Sequence, residues 1–229
     1  MIGADGWQKF NIWEHSETVR NLYARRCRDV ADEMTCHAQA AALLAPHVAP
    51  GDTLLDAGCG SGYFYHSLRK RGIGVEYFGI DATKCLIELG QRYLPAFGLP
   101  AANLQTLRIE DMRAEVDHVL CINVLSNIDN YHRPLERLLL AARKTVILRE
   151  SCSEVSSYIY VKDRFLDEGV DLNVHVNTYA VSGFVKFIES YGFDVETARD
   201  ERTDDAVEMV IGYPHYWKFF VCVRQGQPP

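Results

Sequence analysis

Leu55-Asp56-Ala57-Gly58-Cys59-Gly60-Ser61-Gly62-Tyr63-Phe64 decides the fold of this chain. Thr53–Ala57 reads as a short buried strand, the glycines as a tight loop, and the residues to about Arg71 as a helix. Glycines at such a junction let the chain turn sharply and let backbone N–H groups approach a ligand. A dinucleotide-binding loop needs G-x-G-x-x-G, but here the third glycine comes one residue early and Tyr63 stands in its place. The Gly-Lys-Ser/Thr of a phosphate-binding P-loop is absent. Asp56, just before the loop, would repel a pyrophosphate but attracts an ammonium or sulfonium group.

Outward from this loop the periodicity alternates between strand and helix. Residues 17–30 and 35–45 form two leading helices, the first with Val19, Leu22, Tyr23, Cys27 and Val30 on its apolar face. The spacing predicts strands at 75–80, 104–109, 118–123, 145–148, 193–197 and 217–223. Helices are expected at 84–94, from near Pro134, and around Phe184–Tyr191 with Gly192 as a stop. Strands alternating with helices imply a mostly parallel sheet covered on both faces. Between 150 and 179 the rhythm breaks, and Val170, Leu172, Val174 and Val176 alternate with Asp171, Asn173, His175 and Asn177. An inserted hairpin pairing this stretch with Tyr158–Val161 is expected there. The division is a single domain: a helical lid (1–49), a cofactor half (50–150), the inserted cap (151–179) and a closing helix with strands (180–229).

Two further acids follow successive strands, Asp81 after Tyr77-Phe78-Gly79-Ile80 and Asp111 after Arg108-Ile109-Glu110. At the carboxyl edge, Asp81 suits two ribose hydroxyls and Asp111 an adenine amino group. With these residues the chain resembles the class I S-adenosylmethionine-dependent methyltransferases, over about residues 50–150. The resemblance implies a Rossmann-like seven-stranded sheet with its last strand antiparallel, and S-adenosylmethionine as cofactor. It implies that Gly58, Cys59, Gly60 and Gly62 cradle the methionyl part and that Asp56 fixes the loop or the amino group. Asp81, with Ala82 beside it, would hold the ribose, Asp111 and Met112 the adenine, and Asn123 and Val124 the sulfonium end. Ser126-Asn127 stands where many small-molecule members carry a histidine pair, so no base is given there.

His132, in the loop after the fourth strand, and His175, in the cap, are the candidate general bases, since imidazole titrates near neutrality. Tyr23 and His37 are placed to reach the cofactor carboxylate, although core packing explains Tyr23 equally well. Trp7, Phe10 and Trp13 either close over the site or pack the N-terminal arm, and packing is the plainer reading. Arg25, Arg26 and Arg28 read as a solvated helix face.

Composition narrows the rest. Lys plus Arg is 24 against 31 Asp plus Glu, a net charge of −7, which argues against a basic nucleic-acid-binding surface. No apolar run reaches the ~18 residues of a spanning helix, and the first ten residues lack a signal-peptide pattern. Seven scattered cysteines without C-x-x-C fit reduced thiols in a cytoplasmic protein and offer no zinc spacing. The expectation is therefore methyl transfer to oxygen or nitrogen of a small-molecule acceptor, with no metal, nucleic acid or membrane. The alternatives are a catalytically silent methyltransferase-like subunit and, less favoured, a nucleotide-cofactor oxidoreductase.

Overall fold

In the computed structural model, residues 6–226 are described. The sequence of Gln225–Pro229 reads as a frayed tail, and its residues from 227 on lie outside the described ones. After two 3-10 turns at Gln8–Phe10 and Ile12–His15 come α1 (Glu17–Cys27) and α2 (Thr35–Leu44). The α/β body runs β1 (Thr53–Ala57), α3 (Phe64–Lys70), β2 (Glu76–Asp81), α4 (Lys84–Tyr93), β3 (Leu104–Thr106), β4 (Val116–Ile122), α5 (His132–Ala141) and β5 (Ala142–Ser153). The remainder is β6 (Tyr160–Lys162), β7 (Asn173–His175), β8 (Tyr179–Ala180), α6 (Val181–Glu189), β9 (Phe193–Arg199), β10 (Glu208–Val210), β11 (Tyr213–His215) and β12 (Trp217–Arg224).

The main sheet has the order β3-β2-β1-β4-β5-β12-β9, with β8 appended to β5. Pairing is parallel from β3 to β5, and β12 runs antiparallel to both β5 and β9. Period-two alternation divides the core between the two faces. Leu54, Leu120, Ile147, Phe219 and Val221 pack with α2, α3 and α4 residues, while Leu55, Val119, Val146, Leu148 and Phe220 pack with α5 and α6. The chain order reverses between β1 and β4, so the crevice for a ligand lies at the carboxyl ends of these strands.

Three elements differ from the sequence reading. β3 stops at Thr106 because its only neighbour, β2, ends opposite at Asp81; residues 109–111 then turn as a 3-10 helix. β5 is twelve residues long rather than four. It continues through Arg149, Glu150 and Ser151 because β12 pairs along it as far as Trp217 opposite Ser151, and all three polar residues are buried. The hairpin does form, with Tyr160 opposite His175, but β7 covers only residues 173–175. No helix of the described residues is long and apolar enough to cross a membrane.

Candidate active site

A cavity of about 730 Å³ opens at the carboxyl ends of β1, β2 and β4. That volume is ample for a ligand site of ordinary size. Asp56, Gly58, Cys59, Gly60, Asp81, Ala82, Asn123 and Val124 line one part of it, and Tyr160, His175, His215 and Trp217 line another.

The loop is built by short hydrogen bonds. Gly58 N and Cys59 N both donate to Ile80 O, at 2.8 and 3.0 Å, hooking the loop onto β2. Gly60 N donates to Asp81 Oδ2 at 2.8 Å, and Thr83 N donates to Asp81 Oδ1 at 2.7 Å. Each Asp81 oxygen keeps a second lone pair, so the carboxylate that shapes the loop can still accept two hydroxyls. Gly60 has φ +58°, and a Cβ there would stand 2.3 Å from Tyr23 Cε1. Close approach of α1 to the loop therefore requires glycine at this position.

Burial raises the carboxyls of both loop acids. Asp56 is pushed up to about 7 by desolvation, against the opposing hydrogen bond from Tyr77 Oη at 2.6 Å, with the Asp81 charge adding to the rise. Burial likewise raises Asp81 despite its backbone donors. Two desolvated acids beside one glycine loop favour a cationic ligand, because a positive charge restores their ionised form. These groups fit S-adenosylmethionine: a flexible backbone cradle, a diol acceptor and an acid for the cationic end. They do not suit a pyrophosphate.

The far wall depends on two buried charges, Arg149 and Glu150, that lie just past the strand expected at 145–148. Glu150 is fully buried and accepts from Val124 N (3.1 Å), Leu125 N (2.9 Å), Ser126 N (2.9 Å) and Ser126 Oγ (2.7 Å). Four donors converging on one side chain fix the turn after Asn123. Arg149, also fully buried, donates from Nε to Asp200 Oδ1 at 2.6 Å and from Nη1 to Asn123 Oδ1 at 2.5 Å. A guanidinium only donates, so it turns the Asn123 amide oxygen toward itself and holds that residue at its left-handed φ of +59°. Nothing in the local pattern marks Arg149 or Glu150 as buried, apart from the apolar run Val146-Ile147-Leu148 that leads into them.

The N-terminal segment bridges both parts of the cavity. Trp7, Phe10, Ile12 and Trp13 line it, and Asn11 Nδ2 donates to Thr83 Oγ1 at 3.1 Å. Glu14 Oε1 accepts from Lys84 N at 2.5 Å, capping α4. On the hairpin side, Ser16 Oγ donates to Phe165 O at 2.7 Å, and Arg20 pairs with Asp167 at 3.2 Å. The aromatic arm thus faces the site as well as packing.

Other expected residues fall outside the lining. Asp111 points to solvent with a side chain 55% exposed and an Arg108 partner at 3.8 Å; Ile109 and Glu110 line the cavity on that edge instead. Met112 is core, and Gly62 packs against Leu104 and Leu94 behind the loop. His132 is exposed, bonded through Nδ1 to Asn130 Oδ1 at 2.9 Å and stacked on Tyr131, and it does not reach the cavity. His175 does line it, stacked on Tyr160 at 4.4 Å, and burial lowers its pKa. His215, absent from the expected bases, joins it on the wall and is lowered by burial as well. Asn177 is a buried bracket: Nδ2 donates to Ile128 O at 2.8 Å, and Oδ1 accepts from Ile159 N at 3.1 Å. Its alternation with the valines therefore does not put it on an open polar face. Among the described residues, no group of three His, Cys, Asp or Glu could hold a metal.

Residues 55–146 match the family model described as a methyltransferase domain. Fold, loop and match agree over this stretch: residues 55–146 form a methyltransferase domain on a Rossmann-like sheet, with a loop that suits S-adenosylmethionine. Among curated proteins, it is 42% identical over 103 residues to the tRNA U34 carboxymethyltransferase of Haemophilus influenzae strain PittGG, covering 41% of this chain and 29% of that protein. It is 35% identical over 107 residues to the protein of that name from Trichlorobacter lovleyi, covering 42% of this chain and 30% of the relative. The matched stretch thus spans less than a third of those relatives' length. Among solved structures, magnesium protoporphyrin IX methyltransferase from Synechocystis PCC 6803 with bound S-adenosylhomocysteine superposes with TM-score 0.63 at 16% identity, covering 94% of this chain and 97% of that one. An S-adenosylmethionine-dependent methyltransferase from Clostridium acetobutylicum gives TM-score 0.59 at 12% identity, covering 90% and 97%.

The expectation that nucleic acid plays no part is overturned by these relatives, which are named for a tRNA. A net charge sums the whole chain and does not by itself exclude a nucleic-acid acceptor at one cleft.

Proposed function

We propose that this chain transfers the methyl group of S-adenosylmethionine to a nucleobase of a tRNA, presented edge-first to the cavity. The observation that carries this reading is one cavity lined both by the glycine loop with its acids and by Tyr160, His175, His215 and Trp217. Aromatic walls stack a planar ring whatever its substituents, and a base taken out of its stack is such a ring. The tRNA-named relatives favour this acceptor over a free small molecule.

In the reaction, a lone pair on the acceptor oxygen or nitrogen attacks the methyl carbon in line with the carbon–sulfur bond. That bond breaks, its electron pair goes to sulfur, and S-adenosylhomocysteine leaves uncharged at sulfur. Alignment in a water-poor site supplies much of the rate. His175 and His215, kept neutral by burial, are available to take the acceptor's proton.

The test incubates the protein and methyl-labelled S-adenosylmethionine with bulk tRNA and, separately, with an RNA-free metabolite extract. Label in tRNA supports the proposal. Label only in small molecules overturns the acceptor, and label in neither overturns the activity.

A further inference from the structure

Six exposed basic residues gather where three helices end: Arg25 and Arg28 at the end of α1, Arg69, Lys70 and Arg71 at the end of α3, and Arg92 at the end of α4. Such a cluster stands out in a chain of net charge −7. The three ends touch one another. Arg28 Cζ lies 5.6 Å and Arg92 Cζ 5.2 Å from the centroid of the same ring, that of Tyr93. Arg69 Cζ lies 5.4 Å from the Phe97 centroid, and Lys70 pairs at 2.9 Å with Asp29, next to Arg28.

The acids on these elements are engaged by other cations. Asp29 pairs with Lys70, Glu33 with Arg71 at 2.6 Å, and Glu88, one turn before Arg92, with Lys84 at 3.8 Å. Among the described residues, Arg25, Arg28, Arg69 and Arg92 pair with no acid. Arg28 spends its Nε on Ala24 O at 3.1 Å, which leaves both terminal nitrogens free to donate. The helix dipole accounts for a cation at each helix end. It does not account for two guanidiniums over one ring, neither paired with an acid. Rings hold such groups in place with their donors turned outward, and an anion bound between two like charges relieves their repulsion.

The cluster is continuous with the cavity along α1. Arg26, on the same helix, lines the cavity, and Glu14, just before α1, caps the first turn of α4 at Lys84. At the other end Arg28 meets Tyr93, the last residue of α4, so the two helices run side by side away from the cavity rim. The ten residues of α4 put the cluster about 15 Å from that rim.

We propose that this face, built on Arg28, Arg69 and Arg92, binds the sugar–phosphate backbone of the tRNA whose base enters the cavity. The inference rests on the acceptor reading above and deepens it, by naming where this chain itself holds the nucleic acid. Guanidiniums offer paired donors to phosphate oxygens, and such contacts position a nucleic acid without reading its sequence.

The test measures binding of bulk tRNA to the full chain and to the triple variant Arg28→Gln, Arg69→Gln and Arg92→Gln across a salt series. Each phosphate contact contributes about 0.7–0.9 to the slope of log affinity against log salt, so the triple variant should lose about 2–3 of that slope. Those contacts account for roughly a 30-fold share of the affinity lost between about 50 and 200 mM salt. S-adenosylhomocysteine affinity should stay within about twofold, since none of the three side chains lines the cavity. Lys186→Gln, which removes an exposed cation of α6 on the opposite face of the sheet, should leave the slope unchanged. An unchanged slope and affinity in the triple variant overturns the proposal and leaves these arginines as helix-end charges. So does a loss of slope per charge in Lys186→Gln equal to that in the triple variant. If the native chain labels tRNA while the triple variant binds it equally well, this inference alone falls. If the native chain binds no tRNA at any salt, the acceptor reading itself has failed and takes this face with it.

Discussion

Replacing Glu150 by glutamine isolates the part of the site that no local sequence pattern announces. In the native chain, Oε1 accepts from Val124 N and Leu125 N, and Oε2 accepts from Ser126 N and Oγ. A carboxylate satisfies all four donors, whereas an amide offers one accepting oxygen and an NH₂ that faces donors. In Glu150→Gln the amide oxygen can keep the first pair. Ser126 N then loses its acceptor, while its hydroxyl can rotate to accept from the new amide. One stranded buried N–H costs about 1–3 kcal/mol, and loss of charge assistance on the retained bonds adds about 1 kcal/mol. The sum of about 2–4 kcal/mol corresponds to a fall in Tm of roughly 4–16 °C for a chain of this size. Because the same turn carries Asn123 and Val124, S-adenosylhomocysteine affinity should fall in parallel. Thermal unfolding with and without ligand measures both. A Tm within about 1 °C of the native protein, with affinity intact, would refute the view that a buried anion organises this wall.

Three further outcomes follow from the geometry. Asp56, raised to about 7, keeps its proton in the folded free protein between about pH 4 and 7 where the unfolded chain has lost it, so its contribution to stability falls as pH rises through that window. A cationic cofactor favours the carboxylate, so affinity for S-adenosylmethionine should increase with pH up to about 7 and level off above, and Asp56→Asn should flatten that profile in a calorimetric series. Gly60→Ala forces a non-glycine residue to φ +58° against Tyr23 and should lower both Tm and cofactor affinity, whereas Gly74→Ala, with nothing within 4 Å, should leave affinity unchanged. His175→Ala should cut label transfer at least tenfold with S-adenosylhomocysteine binding retained, while His132→Ala, whose ring lies outside the cavity, should be silent; the reverse pattern would move the base to the α5 side.

The sheet was legible because its chemistry is local and periodic. Short, nearly continuous apolar runs in 53–57, 118–123 and 217–223 mark buried strands, and the glycines after Asp56 mark a tight loop. The loop acids were legible for the same reason, since Asp56 and Asp81 each follow an apolar strand directly. What stayed hidden depends on contacts far along the chain. Arg149 and Glu150 fall past the strand expected at 145–148, and only pairing with β12 extends that strand through them; Arg149's partner Asp200 lies 51 residues away. Arg26 reads as solvated because its helix face is polar, and only the approach of Tyr23 to Gly60 turns that face toward the loop. Glu110 rather than Asp111 reaches the cavity because the chain turns as a 3-10 helix there, rotating the neighbouring side chain out. A one-residue rotation of this kind has no signature in composition or spacing.

The central claim is that the loop after β1 and the carboxylate ending β2 form a site for S-adenosylmethionine. Its most direct test is a calorimetric titration of S-adenosylhomocysteine into the chain and into Asp81→Ala, with Tm recorded for both. The account predicts one-to-one binding to the native chain and at least a tenfold loss in Asp81→Ala, since two charge-assisted bonds to ribose disappear. No heat of binding to the native chain, or equal affinity in a folded Asp81→Ala variant, would contradict it.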